Sequence, residues 1–250
     1  MATAERDFYN ADDPARWGRA EMPEAFGVTA DWLARASPPG GLILELGCGR
    51  GALAAVSDRH TGMDLSLPAL AASQGRRFCG DMERLAVKND AVAFIFSWAA
   101  MEHVPNPERV LAEIERVLRP GGVALLAPAW HCRPWAAEGL EFRPYGELRP
   151  WQRVRKALIP FRNAVLWRAL FEIPRRLLRE TRAAAPRPFT YRRLQPNLDT
   201  YLGTDSDAFT SMDPHAMIVY FASRGWEVLS HPTRRARLNS RHEPVVVRKP

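Results

Sequence analysis

The sequence has few cysteines and no long apolar run. Only three of its 250 residues are cysteine, and Cys48, Cys79 and Cys132 are too widely spaced for a paired metal-binding motif. An odd number also argues against a secreted disulfide framework, so we expect a reducing compartment and no bound metal. No run of 18 apolar residues occurs, and Glu5 and Asp7 stand where a signal peptide would be basic. These absences predict a cytoplasmic protein that does not span a membrane.

The chain also lacks an acidic excess, and its charge is unevenly distributed. Residues 1–132 carry 13 basic and 17 acidic side chains, residues 133–200 carry 15 and 6, and residues 201–250 carry 7 and 5. The net charge of +7 therefore originates in the middle of the chain. Because such a block of one sign often marks an interaction surface, it bears on which partners the protein has.

Short apolar runs alternate with helical patterns along most of the chain. The patterns predict strands at residues 42–46, 61–64, 77–80, 91–97, 123–129, 226–229 and 245–248. They predict helices at residues 21–36, 52–57, 67–74, 107–118 and 214–223, with Asn106 and Asp213 as N-caps. This alternation favours an α/β fold with a mostly parallel sheet flanked by helices, whose ligands bind at the carboxyl ends of the strands.

A glycine loop follows the first predicted strand. Gly47, Gly49 and Gly51 are preceded by Glu45, two residues before the first glycine. Glycine lets the backbone turn tightly and approach a ligand, and the helix that follows offers unpaired N–H groups. The E-x-G-x-G-x-G spacing differs from the G-x-G-x-x-G of dinucleotide-binding loops, which argues against NAD or FAD. The loop predicts a different nucleotide-like ligand.

A carboxylate stands at the end of the second predicted strand. Asp64 lies 19 residues after Glu45. A carboxylate at this place accepts hydrogen bonds from a ribose diol in related nucleotide folds, or it caps the helix that follows.

These motifs together resemble the class I S-adenosylmethionine-dependent methyltransferases of type 11. The resemblance covers residues 42–129 and includes the run from Phe94 to Val104 and the turn Leu118-Arg119-Pro120-Gly121-Gly122. It implies a Rossmann-like fold with S-adenosylmethionine as the cofactor. The residues that it places at the cofactor are Glu45, Gly47, Cys48, Gly49, Gly51, Asp64, Leu65, Asp81, Met82, Ser97 and Trp98. One departure is Ala93, where members of the family commonly carry an aspartate.

The resemblance also implies individual roles. The acid at the position of Glu45 organises the methionine end of the cofactor. The Asp81–Met82 segment meets the adenine, although the same two residues also suit a simple turn after a strand. Together with the uneven charge, the motifs divide the chain into a cofactor-binding part at 1–132, a basic and mainly helical insert or lid at 133–200, and a completion of the sheet at 201–250.

Two histidines are candidate catalytic bases. Methyl transfer from a sulfonium is a direct displacement, so a base is needed only when the acceptor is a hydroxyl of high pKa. His131, two residues beyond the fifth predicted strand, is the first candidate. His103 is the second, unless it only shapes the loop beside the cofactor. Trp98 and Trp130 either place an aromatic face near the sulfonium or pack in the core.

The insert has three possible uses. Between residues 149 and 182, arginines and one lysine alternate with apolar residues, and Pro160 and Pro174 divide this stretch into short helices. Basic helices with Trp, Phe and Leu suit an anionic membrane surface, so a peripheral position at the inner membrane is one expectation. A lid that packs its apolar face on the domain is the second. Nucleic acid is disfavoured, since the stretch has no known binding motif.

The position of the insert indicates a role in choosing the acceptor. In this family, additions after the fifth strand usually cover the acceptor site, and the positive charge suggests an anionic or lipid-held acceptor. Residues 201–208 loosely resemble methyltransferases of surface-polysaccharide pathways, with Asp205 and Asp207 either binding sugar hydroxyls or capping a turn. The sequence therefore predicts O-methylation of a saccharide, lipid-linked or other small-molecule acceptor. Alternatives are a lipid or quinone methyltransferase at a membrane and a non-catalytic cofactor-binding regulator.

Overall fold

The computed structural model describes residues 2–11, 19, 21–163, 168–181, 186–198 and 205–250. The strands are β1 Leu42–Leu46, β2 His60–Asp64, β3 Arg77–Cys79, β4 Val92–Trp98, β5 Leu118–Ala127, β6 Arg192–Arg193, β7 Thr210–Ser211, β8 Glu227–Val228 and β9 Val245–Arg248. The helices are α1 Ala2–Tyr9, α2 Pro23–Ala36, α3 Leu67–Ala72, α4 Pro107–Val117, α5 Pro150–Ala157, α6 Ile159–Asn163, α7 Ile173–Thr181, α8 Pro214–Ala222 and α9 Arg234–Asn239.

The main sheet has the strand order β3-β2-β1-β4-β5-β9-β8. Neighbours from β3 through β5 are parallel, while β9 runs antiparallel to both β5 and β8. The predicted Rossmann-like α/β fold is confirmed. Because β1 lies between β2 and β4, the loops after these three strands meet at one edge of the sheet.

The central strands are apolar because both faces of the sheet are covered. Successive side chains of a strand point to opposite faces, so Leu44 and Ile95 join one core cluster while Ile43, Phe94 and Phe96 join the other. The first cluster packs with α4 and α8, and the second packs with α2. Because helices cover both faces of the sheet, a one-residue shift would place side chains of β1 and β4 on the wrong face. The register of these strands is therefore specified, and so is the position at which the glycine loop begins.

Two local predictions about helix ends have different outcomes. Asp213 caps α8, and its carboxylate accepts a hydrogen bond from the backbone N–H of His215 at 3.0 Å. The prediction that Asn106 caps α4 with its side chain is wrong, since that side chain makes no capping bond. Asn106 still occupies the N-cap position, but its amide nitrogen donates to the Glu83 carboxylate at 3.0 and 3.2 Å, and this charge-assisted contact orients the side chain.

The predicted helix at residues 52–57 is shorter in the structure. Only Ala54–Val56 forms a single 3₁₀ turn, which packs beside β2. The loop therefore enters no long helix, and the N–H groups near the glycines are not part of a helix N-terminus. The expectation that a helix N-terminus offers unpaired N–H groups beside the glycine loop is therefore wrong.

The insert is only partly a basic surface. The Arg176 guanidinium is buried and donates to the carbonyls of Leu238 and Ser240 and to the Asp213 carboxylate. Arg179 donates to the same carboxylate. These two arginines hold α7 against the C-terminal part of the chain, so they are not available to an anionic partner, and the expectation that the whole stretch is a basic surface is wrong for them.

Some predicted features lie outside the described residues. They are Arg182 of the basic stretch, the rest of residues 182–185, and residues 164–167 and 199–204, which include the first residues of the polysaccharide-enzyme resemblance. The division of the chain at residues 132 and 200 stays a prediction. In the part of the chain that the structure describes, no helix has the length and apolar content needed to cross a bilayer.

Candidate functional site

A cavity of about 500 Å³ opens at the edge of the sheet where β1, β2 and β4 end. A volume of this size is typical of small-molecule sites. Its wall includes ten of the residues that the sequence predicted as functional, namely Glu45, Gly47, Cys48, Gly49, Asp64, Leu65, Asp81, Met82, Trp98 and His103. The fold therefore brings together residues that are up to 58 positions apart in the chain, from Glu45 to His103.

The glycine loop lies across the end of β2. The backbone N–H groups of Gly47 and Cys48 both donate to the carbonyl of Met63, at 2.8 and 3.0 Å. Gly47 has a φ of +74°, and a Cβ built on it would lie 2.3 Å from the Cβ of Ala100. Both the backbone conformation and the close neighbour exclude a side chain here. The loop leaves bare main chain along the cavity wall.

Asp64 holds the loop to the start of α3. Its Oδ2 accepts a hydrogen bond from the N–H of Gly49 at 2.7 Å, and its Oδ1 accepts one from the N–H of Ser66 at 2.9 Å. Burial raises the pKa of this carboxyl, and the N–H donors of Ser66 and Gly49 oppose that rise. Each oxygen keeps a second lone pair, so Asp64 can both fix the loop and accept a ligand hydroxyl.

Glu45 has a buried partner that the sequence did not reveal. Its Oε2 lies 2.8 Å from His60 Nε2, and both side chains are buried. Burial raises the pKa of Glu45, while the hydrogen bond from His60 lowers it. Residues 45 and 60 lie in the neighbouring parallel strands β1 and β2. The pair orients the carboxylate at the base of the cavity.

Asp81, Met82 and Trp98 form other parts of the wall. Asp81 Oδ1 accepts a hydrogen bond from the N–H of Glu83 at 2.8 Å, as in the simple turn that was one of the two expectations. Asp81 also lines the cavity, as the other expectation requires. The Trp98 indole N–H donates to Thr29 Oγ1 at 2.9 Å, so α2 fixes the ring. Burial raises the pKa of the Cys48 thiol, which stays protonated and apolar.

A histidine and carboxylates occupy another part of the wall. Asp207 Oδ2 lies 3.4 Å from His103 Nδ1, and Glu102 Oε1 lies 3.6 Å from His103 Nε2. Burial alone would lower the pKa of His103, but the charges of Glu102, Asp207 and Asp205 raise it above its ordinary value. The charges thus make the imidazole a stronger base than an ordinary histidine.

The N-terminal helix α1 contacts this cluster. The Tyr9 hydroxyl donates to Asp207 Oδ2 at 2.8 Å, and the Tyr9 ring lies edge-on to His103 with centroids 5.9 Å apart. The Ser66 hydroxyl donates to the carbonyl of Tyr9, and the Asn10 side chain accepts from the N–H of Leu67. Sequence reasoning missed Tyr9, since no local pattern links the beginning of the chain to residues 66 and 207.

Asp205 and Asp207 were predicted only as alternatives. Both line the cavity, and the loop that carries them reaches it because Phe209 N–H and Thr210 Oγ1 donate to the carbonyl of Glu102. The two carboxylates lie about 160 positions from the glycine loop in sequence. The sequence offered a sugar-binding role and a turn cap as alternatives, and it did not indicate that these residues would lie beside His103.

Three predicted site residues lie off this cavity. Gly51, with a φ of +78°, sits against Ser73, and the buried Ser97 hydroxyl donates to the carbonyl of Leu46. Both therefore support the loop and strand rather than the wall. His131 lines a separate cavity, and burial lowers its pKa. The role of each of these residues stays a prediction.

Known proteins share the sequence features of this site. Residues 44–126 match a family model described as a methyltransferase domain. An uncharacterized methyltransferase of Mycobacterium bovis (strain BCG / Pasteur 1173P2) is 30% identical over 171 residues, which is 62% of this chain and 67% of the relative. Another, from Mycobacterium leprae (strain Br4923), is 32% identical over 133 residues, which is 48% of this chain and 49% of the relative.

Two solved structures are similar to part of this chain, each with a low TM-score. An amino pentose methyltransferase from Micromonospora echinaspora, with S-adenosylmethionine bound, is 25% identical with a TM-score of 0.38, over 46% of this chain and 53% of that one. Phosphoethanolamine N-methyltransferase 2 from Haemonchus contortus, in complex with S-adenosyl-L-methionine, is 20% identical with a TM-score of 0.45, over 52% of this chain and 36% of that one.

Proposed function

Because the chain belongs to the S-adenosylmethionine-dependent methyltransferases, we propose that it methylates a hydroxyl group of a saccharide, a lipid-linked or another small-molecule acceptor. The observation that carries this proposal is the position of His103, a base flanked by carboxylates, in the same cavity wall as the glycine loop. A hydroxyl acceptor of high pKa must lose its proton during methylation, so a positioned base speeds the step.

The residues of the cavity fit S-adenosylmethionine. Gly47 and Gly49 both have a positive φ and line the cavity, so bare main chain lets a ligand approach closely, and the Asp64 carboxylate has lone pairs for a ribose diol. Glu45 adds a carboxyl group in reach of the ligand's positively charged end. When bound, S-adenosylmethionine supplies the methyl group on a sulfonium leaving group.

Side chains of the protein take up the proton that the acceptor loses and stabilise the resulting charge. His103 Nδ1 is buried with no hydrogen-bond partner among the described residues, whereas the side chain as a whole is 22% exposed. The imidazole lines the cavity, and its other ring nitrogen, Nε2, receives the proton. The Asp207 carboxylate beside Nδ1 stabilises the imidazolium that forms, and Tyr9 holds that carboxylate in place.

Transfer of a radiolabelled methyl group to defined acceptors tests this proposal. We expect label on a neutral saccharide, a polyprenyl-linked saccharide or a prenyl quinol, with the product stable to the base treatment that cleaves methyl esters. Label on amines alone would reject O-methylation. Tight cofactor binding without transfer to any acceptor would favour the non-catalytic regulator.

Asp64 should contribute strongly to cofactor affinity. We expect Asp64→Ala to weaken binding of S-adenosylmethionine about 100-fold in isothermal titration calorimetry, because it removes both a ligand acceptor and the bond that fixes Gly49. Asp58→Ala, at an exposed carboxylate outside the cavity wall, is the matched control and should leave affinity unchanged. Equal affinities in the two variants would remove Asp64 from the site.

We further propose that α5 and α6 contact an anionic membrane. Trp151, Val154, Leu158 and Phe161 recur at helical spacing and are 47%, 61%, 46% and 70% exposed. A separate buried apolar cluster exists in this part of the chain, and none of these four exposed side chains belongs to it. An exposed apolar face of this size is typical of an interaction surface.

Basic groups surround this apolar face and favour anionic lipid. Arg149 and Arg153 are exposed, and the Arg155 guanidinium lies over the Trp151 ring, 5.1 Å from its centroid. Arg155 also pairs with the Glu138 carboxylate, which neutralises one of the positive charges beside the apolar face. The remaining cations suit a lipid headgroup layer while the apolar side chains enter it.

Vesicle flotation measures this contact. With vesicles that contain phosphatidylglycerol, we expect the wild-type chain to float at low salt and the double variant Trp151→Ser, Phe161→Ser to bind at least tenfold more weakly, since each lost aromatic removes about 2 kcal/mol of apolar transfer. Leu67→Ser, at an apolar side chain that is 60% exposed elsewhere, should bind as the wild type does. No flotation of the wild-type chain would reject the membrane proposal.

A further inference from the structure

A second cavity of about 360 Å³ adjoins the first. Trp130, His131, Phe142, Asp205 and His242 are among the residues of its wall. Asp205 lines both cavities, so the two spaces share a wall at the residue next to the His103 cluster. An acceptor long enough to pass Asp205 would occupy both.

The backbone at this junction is strained. Among the described residues, His131 and Asp205 are two of the few non-glycine residues with a positive φ, at 60° and 63°. Ala99, in the wall of the first cavity, is a third, at 45°. Strain of this kind costs free energy and persists mostly where a site needs an unusual side-chain direction.

The polar groups of the second cavity include one without a partner. The Trp130 side chain is 7% exposed, and its indole N–H is buried with no hydrogen-bond acceptor among the described residues. A buried donor without a partner is costly, so a ligand oxygen that accepts from it would gain affinity. The described residues also provide no hydrogen-bond donor to the Asp205 carboxylate, which can accept from a ligand hydroxyl.

The charges disfavour an anionic ligand. The Arg133 guanidinium is paired with the Glu141 carboxylate, which also accepts from the indole N–H of Trp135. Burial lowers the pKa of His131 more than the Asp213 carboxylate raises it, so this imidazole is neutral at pH 7. With Asp205 close by, the cavity has no unpaired cation among its described wall residues for a phosphate or sulfate.

The remaining groups suit an uncharged polyhydroxylated ring. Phe142 offers an aromatic face that is 69% exposed, on which the C–H face of a sugar can pack. A neutral imidazole at His131 both donates and accepts, the indole N–H of Trp130 donates, and Asp205 accepts. We propose that the second cavity is a subsite for a neutral saccharide unit next to the one methylated. This inference rests on the proposed function, because the subsite would bind the saccharide unit next to the unit that is methylated.

Saccharide binding without cofactor tests the subsite. Saturation-transfer NMR and titration with maltose, lactose and trehalose should show that one disaccharide binds about tenfold more tightly than its monosaccharides glucose and galactose. Phe142→Ala and Trp130→Phe should each reduce that disaccharide's affinity to the monosaccharide level. Phe161→Ala removes the same side chain at 70% exposure outside the cavity and should have no effect.

The outcomes separate this inference from the proposed function. Equal affinity for mono- and disaccharides, tighter binding of glucose 6-phosphate than of glucose, or no effect of Phe142→Ala would each overturn the subsite. If Trp130→Phe misfolds, His242→Ala at an exposed wall residue provides the same test. Because binding is measured without S-adenosylmethionine, a chain that binds a disaccharide but never methylates one would reject only the proposed function.

Discussion

Gly47→Ala is expected to reduce the affinity for S-adenosylmethionine at least 100-fold. The new Cβ would lie 2.3 Å from the Cβ of Ala100, so the loop or its neighbour must move. The φ of +74° adds about 1 to 2 kcal/mol of backbone strain for any residue with a side chain. Both effects displace the main chain that lines the cavity. Calorimetry on the purified variant measures the loss.

A substitution at a second glycine distinguishes the effect of backbone strain from the effect of a displaced loop. Gly225 has a φ of +82°, but a Cβ there would meet no atom within 4 Å. Gly225→Ala should therefore lose about 1 kcal/mol of stability in chemical unfolding and keep the wild-type cofactor affinity. If both variants bind the cofactor normally, the loop does not form part of the cofactor site.

His103→Gln is expected to lower kcat between about 100-fold and 10,000-fold with the acceptor identified by methyl transfer. Glutamine keeps much of the volume and polarity of the side chain but cannot take a proton at neutral pH. The cofactor affinity should stay within a few-fold of the wild type, because no cofactor contact is assigned to this ring. If His131→Gln lowers kcat more than His103→Gln does, the roles of the two histidines are exchanged.

The pH profile provides a second measurement of His103. A base acts only when it is unprotonated, so kcat/KM should rise with pH through a value above the ordinary 6.5 and then level off. The carboxylates of Glu102, Asp207 and Asp205 produce the rise in pKa, and the charge of His103 also lowers the pKa of Asp64. Asp207→Asn removes one charge, lowers the pKa and should shift this limb to lower pH. A limb that does not move would reject His103 as the group that titrates.

Much of the site was predictable because it depends on local patterns. The apolar strand before Gly47 and the acid at the end of β2 both have signals within a few residues, and the parallel order of the strands places their ends together. Glu45, Gly49 and Asp64 accordingly line one cavity, as expected. The Glu45–His60 pair was not predictable, since the register between β1 and β2 sets it.

The basic stretch shows where pattern reasoning failed. Arg176 has the sequence context of a surface arginine, yet it is buried because Asp213 and two main-chain carbonyls provide acceptors from other segments. His215, which follows an N-cap and a proline, likewise has the context of a surface residue but is fully buried. Burial of a polar side chain depends on partners that the local sequence does not contain.

By itself, the sequence determined the α/β alternation, the edge of the sheet at which the cavity opens and the glycine loop that forms part of its wall. Each of these follows from hydrophobic period and residue type over a few positions. Only the tertiary structure decided that Tyr9, Asp205 and Asp207 surround His103, and that His131 faces a different space. The physical reason is that these placements depend on how segments far apart in the chain pack together. The spacing of residues within one segment does not determine that packing.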